Sequence, residues 1–337
     1  MLGSRLRWFE RWIRGISAAL LCASIGCTQT LDAGSNRSHG RLPVDERNPI
    51  VLLNDGSSDN WQGEYAMLLA NAGGPKLVGI VVNANYPWPD IETNMAGWRE
   101  MVTAARDSGL RNVPEPTASA SATLARPASG RIEDTVPNGS EGARLILDMA
   151  ARYGAAYRPL AIVTGGRLTD VADAYLLEPS VAERVVVVSS LGKLSAAGGA
   201  MSNPNGEMDT WADSIVTAKL RYVQVSAYYD QSMDVPESRV SELPPNAFGD
   251  WIANKRASIL SLSEAADQVA VLAVAVSSFV TAVSIVAPAG LTTEGATAGP
   301  ELVAAVEGNA LLVTDTDSDL PAQRFWNVLL SPSTFFH

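Results

Sequence analysis

Residues 50–60 read Ile50-Val51-Leu52-Leu53-Asn54-Asp55-Gly56-Ser57-Ser58-Asp59-Asn60. Four apolar residues with no polar alternation, closed by turn-forming residues, make the pattern of a strand buried on both faces. A helical pattern follows through Ala72. Outward from this unit the same sentence repeats. Leu77–Val82, Leu160–Val163, Val185–Val188 and Tyr222–Val225 are further apolar runs. Helical spacing lies between them at 90–107, 141–153, 168–177, 211–219, 246–256 and 264–279, and late strands are expected at 283–286 and 311–313. Residues 113–139 carry Pro, Ser, Thr and Gly with little periodicity and read as a loop or flap. Strand–helix alternation of this kind predicts an α/β fold: an open, mostly parallel sheet with helices on both faces. Ligands of such sheets bind in the loops at the carboxyl ends of the strands.

Composition excludes several classes. Of 337 residues, 47% are hydrophobic and 18% charged, too apolar for intrinsic disorder. The formal charge is -11, from 25 basic and 36 acidic residues, so no broad positive surface awaits nucleic acid. Clustered acid is compatible instead with a hard cation.

The first 27 residues are an address. Arg5, Arg7, Arg11 and Arg14 precede a short apolar run, Ile16 to Ile25. That run falls short of the ~20 residues needed to span a bilayer but fits a signal peptide. Ser24-Ile25-Gly26-Cys27 resembles a bacterial lipobox, in which the cysteine is lipidated; plain cleavage is the alternative. The expected organisation is a signal peptide over 1–27, a polar tether over 28–48 and one domain over 49–337. An exported lipoprotein at the cell envelope follows, touching the membrane through its lipid anchor alone. Both cysteines, Cys22 and Cys27, lie in the address, so the body has no disulfide and no thiolate chemistry. Without residues 1–27 the chain keeps 21 basic and 35 acidic residues, a charge of -14.

Polar residues gather after the strands. Asp55 and Asp59 can shape the turn and cap the next helix, or supply oxygens to Ca²⁺. Asn83 and Asn85 end the second strand. Thr164-Gly165-Gly166 ends the third, without GxGxxG or a Walker pattern. Glu207 and Asp209 precede a helix that Asp209 can cap, and Asp267 lies in an acidic helix opening.

Taken in order, these elements resemble the inosine–uridine-preferring nucleoside hydrolase family. Leu53 to Asn60 stands in the register of that family's DxDxxxDD loop, before Tyr65-Ala66-Met67-Leu68-Leu69-Ala70. Gly79 to Asn85 matches its strand leading to Gly-Asn. Gly166-Arg167-Leu168-Thr169-Asp170 matches Gly-Pro-Leu-Thr-Asn, Pro204 to Asp213 matches Pro-x-x-Glu-Phe-Asn-x-x-x-Asp, and Ala266-Asp267-Gln268-Val269-Ala270 matches His-Asp-Pro-Leu-Ala. The resemblance implies a Ca²⁺ ion held by Asp55, Asn60, Asp267 and a backbone carbonyl near Thr164. It implies a ribose pocket lined by Asp59, Asn85, Glu207 and Asp209, with Asp55 as the base that takes a proton from water. It also implies a small nucleoside or sugar-like ligand, and admits a homo-oligomer.

Departures from the family are specific. Leu53 replaces its first Asp and Asn60 its last, which removes a formal charge from the metal; Glu64, four residues on, is a candidate to compensate. Ala266 replaces the late histidine, and Met201 a pocket asparagine. The only histidines are His39 and His337, in the tether and at the terminus. Three readings follow: a Ca²⁺-dependent hydrolase of N-glycosidic bonds, a surface lipoprotein that binds a nucleoside or polyol without turnover, and an altered glycosidic substrate stacked on Trp61, Trp88 or Trp211.

Overall fold

Every position of β1 (Ile50–Asn54) is buried, as its unbroken apolar run requires. In the computed structural model it pairs in parallel with β2 (Leu77–Val82) on one side and β4 (Leu160–Thr164) on the other. The structure describes residues 41–56, 61–84, 89–119, 122–190, 208–225, 235–256, 268–288, 302–317 and 319–335. All of them fall in one folded unit, Arg37–His337. The expected signal peptide and most of the expected tether lie outside the described residues.

The remaining strands are β3 (Pro116–Ala118), β5 (Val185–Ser189), β6 (Tyr222–Val225), β7 (Val280–Pro288), β8 (Leu302–Ala304) and β9 (Ala310–Thr316). Their order is β3-β2-β1-β4-β5-β6-β9-β7-β8. Pairing is parallel from β3 through β9, and antiparallel where β7 meets β9 and β8.

The helices are α1 (Gln62–Asn71), α2 (Ile91–Asp107), α3 (Glu141–Tyr153), α4 (Thr169–Leu177), α5 (Thr210–Lys219), α6 (Ala247–Arg256), α7 (Gln268–Ala275), α8 (Leu320–Leu329) and α9 (Pro332–Phe335). Successive side chains of β1 serve opposite faces, as the strand period of two dictates. Ile50 and Leu52 pack with α1, α2, α6, α7 and α8. Val51 and Leu53 pack with α3, α4 and α5. The expected two-faced architecture is therefore present.

Expectation and structure differ in a few places. The stretch 113–139 is not all loop: β3 adds an edge strand to β2, and Ile132–Asp134 forms a 3₁₀ turn. β3 is three residues long and begins at a proline, too short to show a period. The helix expected at 264–279 is α7, which ends at Ala275 before β7 begins; residues 264–267 are outside the described set. β8, α8 and α9 had no counterpart in the sequence reading.

Candidate active site

Past the last strand residues, the backbone ladder runs on and holds the loops side by side. The Asn83 amide donates to the Asn54 carbonyl at 2.8 Å, Gly165 to Leu53 at 3.0 Å and Ser190 to Thr164 at 3.1 Å. Helix α2 reaches over this edge. Its Trp98 indole donates to the Asp55 carbonyl at 2.8 Å, and Asn94 donates to the Asn83 carbonyl at 2.9 Å.

Asp55 is buried, 1% exposed, and its Oδ1 accepts the Gly56 amide at 2.6 Å. The first turn of α1 is locked to the same strand end, because Asn54 Nδ2 donates to Gln62 Oε1 at 2.6 Å. Gly63 lets this turn press on α2: a Cβ there would lie 2.6 Å from Met101 Cε and 2.7 Å from the Trp98 ring. The helix cap is Trp61, in the left-handed region at φ 60°, with no side-chain bond to the helix. Asp59 as the cap is thus corrected; the helix opens later than the motif suggested. Left-handed backbone is strained for a bulky residue, and Trp61 is held against Phe325 with ring centroids 5.7 Å apart.

Three residues on, Glu64 is also 1% exposed. Burial pushes its carboxyl up to about 8, against a smaller downward pull from its own backbone amide. Its Oε1 has no hydrogen-bond partner among the described residues.

After β4, Thr164 Oγ1 closes the turn, donating to the Gly166 carbonyl at 2.9 Å and accepting the Gly166 amide at 3.2 Å. The Thr164 carbonyl accepts both the Ser190 amide at 3.1 Å and the Ser190 hydroxyl at 3.3 Å. Its use as a metal ligand therefore requires Ser190 Oγ to turn away. Gly166 lies so close to Asn83 that a Cβ would meet Oδ1 at 2.4 Å. Asn83 Nδ2 donates to the Arg167 carbonyl at 3.1 Å, while Asn83 Oδ1 is buried with no partner among the described residues. The sequence places Asn83 only at the end of the second strand; its complete burial marks it as part of this edge.

Asp209 is the N-cap of α5, accepting the Ala212 amide at 3.0 Å through Oδ1. Its Oδ2 accepts the Leu124 amide at 3.0 Å and the Thr169 hydroxyl at 2.7 Å. Burial raises its pKa, opposed by these hydrogen bonds and by the positive charge of the buried Arg167. Both oxygens are thus committed inside the protein, and contact with a sugar would have to displace one of these donors. Two further buried acids fasten the same flap. Asp170 accepts the hydroxyls of Ser119 and Ser140, and Asp173 accepts the amides of Gly139 and Ser140.

Of the residues singled out by sequence, Asp55 and Thr164 end neighbouring strands on one edge, and Asp209 is bonded to Thr169, which opens α4 after β4. Asp59, Asn60, Asn85, Glu207 and Asp267 lie outside the described residues. Among the described residues no three His, Cys, Asp or Glu side chains form a metal cluster. The side-chain oxygens described at this edge, on Asp55 and Asn83, are hard donors, the kind that suits Ca²⁺ rather than a soft metal.

Solved structures share the fold. The purine-preferring ribonucleoside hydrolase from Gardnerella vaginalis matches with TM-score 0.55 at 16% identity, over 84% of this chain and 98% of its own. The inosine-uridine preferring nucleoside hydrolase from Bacillus anthracis matches with TM-score 0.57 at 15% identity, over 84% and 99%. The fold is that of the nucleoside hydrolases. The type III effector protein XopQ, solved with adenosine diphosphate ribose, shares it with TM-score 0.52 at 13% identity, over 87% and 96%. No family model and no curated protein sequence matches the chain.

Within this nucleoside hydrolase fold, two tryptophans considered for stacking are packing residues. Trp61 is 4% exposed against Phe325, and Trp211 is 5% exposed with its indole on Thr135. Trp88 lies outside the described residues. No helix among the described residues is long and apolar enough to cross a membrane.

Proposed function

We propose that this chain hydrolyses the N-glycosidic bond of a ribonucleoside or a related compound, with Ca²⁺ as its cofactor. The observation that carries the reading is a buried aspartate, Asp55, at the carboxyl end of β1, an interior strand of a nucleoside hydrolase fold. Asp55 is the base: its Oδ1 is oriented by the Gly56 amide, which fixes the carboxylate for proton transfer. Asp59, Asn85 and Glu207 bind the sugar, and Asp209 holds α5 and the flap around it. Asp55, Asn60, Asp267 and the Thr164 carbonyl are the proposed ligands. When bound, the ion supplies Lewis acidity and a grip on the ribose diol.

Hydrolysis breaks the bond from C1′ to the base nitrogen and forms one from C1′ to the water oxygen. The water proton goes to Asp55, and the departing base takes a proton from solvent, since the body holds no histidine between His39 and His337. Buried carboxylates favour the positive, oxocarbenium-like sugar of the transition state. The same reading places the protein outside the cytoplasm as a lipoprotein, supported by Arg5 to Cys27.

Purified protein with excess Ca²⁺ and a panel of purine and pyrimidine ribonucleosides is expected to release reducing sugar from at least one. Asp55→Asn should lower that rate by roughly 10²–10⁴-fold. Absence of sugar from every nucleoside, where a control hydrolase works, overturns the proposal in favour of a binding protein.

A further inference from the structure

We infer that the amino-terminal edge of the sheet, opposite the candidate active site, is the face that this protein rests on a phospholipid bilayer. The inference rests on the reading of the chain as a lipoprotein anchored at Cys27, and adds the orientation of the body. In a run of parallel strands, the loops that lead into the strands share one edge and the loops that follow them share the other. Asp55, Asn83 and Gly165 follow their strands. The turn over residues 45–48 enters β1 from the opposite edge, where Asn48 Nδ2 donates to the Pro159 carbonyl, just ahead of β4, at 2.7 Å. The described chain begins at Arg41, fourteen positions after Cys27. A flexible chain of that length spans roughly 20 Å on average and about 50 Å at most. A lipid on Cys27 therefore keeps this edge, rather than the one that carries Asp55, next to the membrane.

Exposed apolar side chains gather on the same edge. Tyr153 ends α3, Tyr157 stands in the loop between α3 and β4, Leu177 ends α4, and Leu330 follows α8. Strand β7 is antiparallel and returns to this edge, where Val303 of β8 pairs with Ala287 and Val306 lies in the loop before β9. Among the described residues, the other exposed large apolar side chain is Val136, in the flap. Any one such residue is ordinary on a protein surface, but six on one edge against one elsewhere is a bias toward an apolar partner. Tyr157 is 88% exposed and Val306 82% exposed, so both project from the body. A tyrosine suits the headgroup region, with an apolar ring and a polar hydroxyl.

Charge allows the approach. Without residues 1–27 the chain carries -14, which an anionic bilayer repels. On this edge Asp45, Glu115, Asp148 and Glu178 are each paired with an arginine. Arg41, Arg158 and Lys76, the last 4.7 Å over the Tyr153 ring, form no salt bridge among the described residues. They offset Glu46, Glu183 and Glu307 in the same loops and present cations to lipid phosphates. The carboxyl edge then opens away from the lipid, toward dissolved substrate.

Fluorescence quenching from within the lipid tests the inference. The full chain is expressed with its leader, purified from membranes and placed in vesicles of phosphatidylethanolamine and phosphatidylglycerol. The body holds no cysteine, so Tyr157→Cys and Val136→Cys each take a single thiol-reactive fluorophore, at positions exposed enough to leave the fold intact. A spin-labelled phospholipid is expected to quench the label at 157 several-fold more than the label at 136. Equal quenching at the two positions in a membrane-bound chain overturns the orientation and leaves the lipoprotein and hydrolase readings standing. A label at 157 that is equally shielded in detergent without vesicles points to a second copy of the chain on this edge, and overturns it as well. A chain recovered wholly from the soluble fraction removes the lipoprotein reading and this inference together.

Discussion

At the residue scale, the site is a set of acids whose bonding differs sharply. Asp209 accepts three donors and serves as a cap, whereas Glu64 is buried with little to meet it. That difference gives Glu64 a measurable pH signature. Its folded value of about 8 exceeds the ordinary 4.5, so between these values the folded chain holds a proton that the unfolded chain has lost. Stability contributed by that proton is complete below pH 4.5 and is lost as pH rises through about 8. In the presence of a chelator, urea unfolding should show a decline of roughly 1.4 kcal/mol per pH unit across that window. Glu64→Gln should remove this component; identical slopes in wild type and variant would contradict the burial argument. Gly166 carries a second prediction. A methyl there would strike Asn83 Oδ1, so Gly166→Ala should cost about 1–3 kcal/mol by displacing the Asn83 side chain. Chemical denaturation of that variant reads the loss directly.

At the element scale, the flap from Ser119 to Ser140 is fastened by carboxylates of α4 and α5 rather than by apolar packing alone. Asp173 takes the Gly139 and Ser140 amides, while Ser140 also caps α3 at the Ala143 amide. Removal of the carboxylate leaves two amides to find water or remain unpaired. Asp173→Ala should therefore destabilise the protein by about 2 kcal/mol or more. Limited proteolysis should then cut within 122–139 faster than in wild type; an unchanged cleavage rate would mean that the flap is held by other contacts. Legibility in the sequence varied between elements for a physical reason. The unbroken Val and Ile runs of β4 and β5, and the amphipathic spacing of α3, were readable because each repeats its period over several residues. β3 and β8, three residues each, offer no repeat to read. The start of α1 was misplaced because Trp61, a residue with no capping oxygen, occupies the cap.

At the scale of the whole molecule, one sheet joins both cores, so a defect in β1 reaches each face. Leu52 is fully buried and packs with α1, α2 and α7. Leu52→Ala should cost about 2–5 kcal/mol, lowering Tm in a single transition. Separate early melting of one face would show that the two cores are not coupled through the strand.

The sequence by itself determined the alternation of strand and helix, the edge of the sheet where polar residues collect, and the placement of Asp55 at the end of β1. Those features depend on local periodicity and on the order of residues along the chain. Only the tertiary structure decided what each polar residue does there. Asp209 became a cap because Leu124, Thr169 and Ala212 come from three separate segments to meet it. Glu64 became a buried acid because the packing of α1 leaves it 1% exposed. Burial and hydrogen bonding between distant segments are properties of the folded chain, and the chemistry of a carboxylate follows from them.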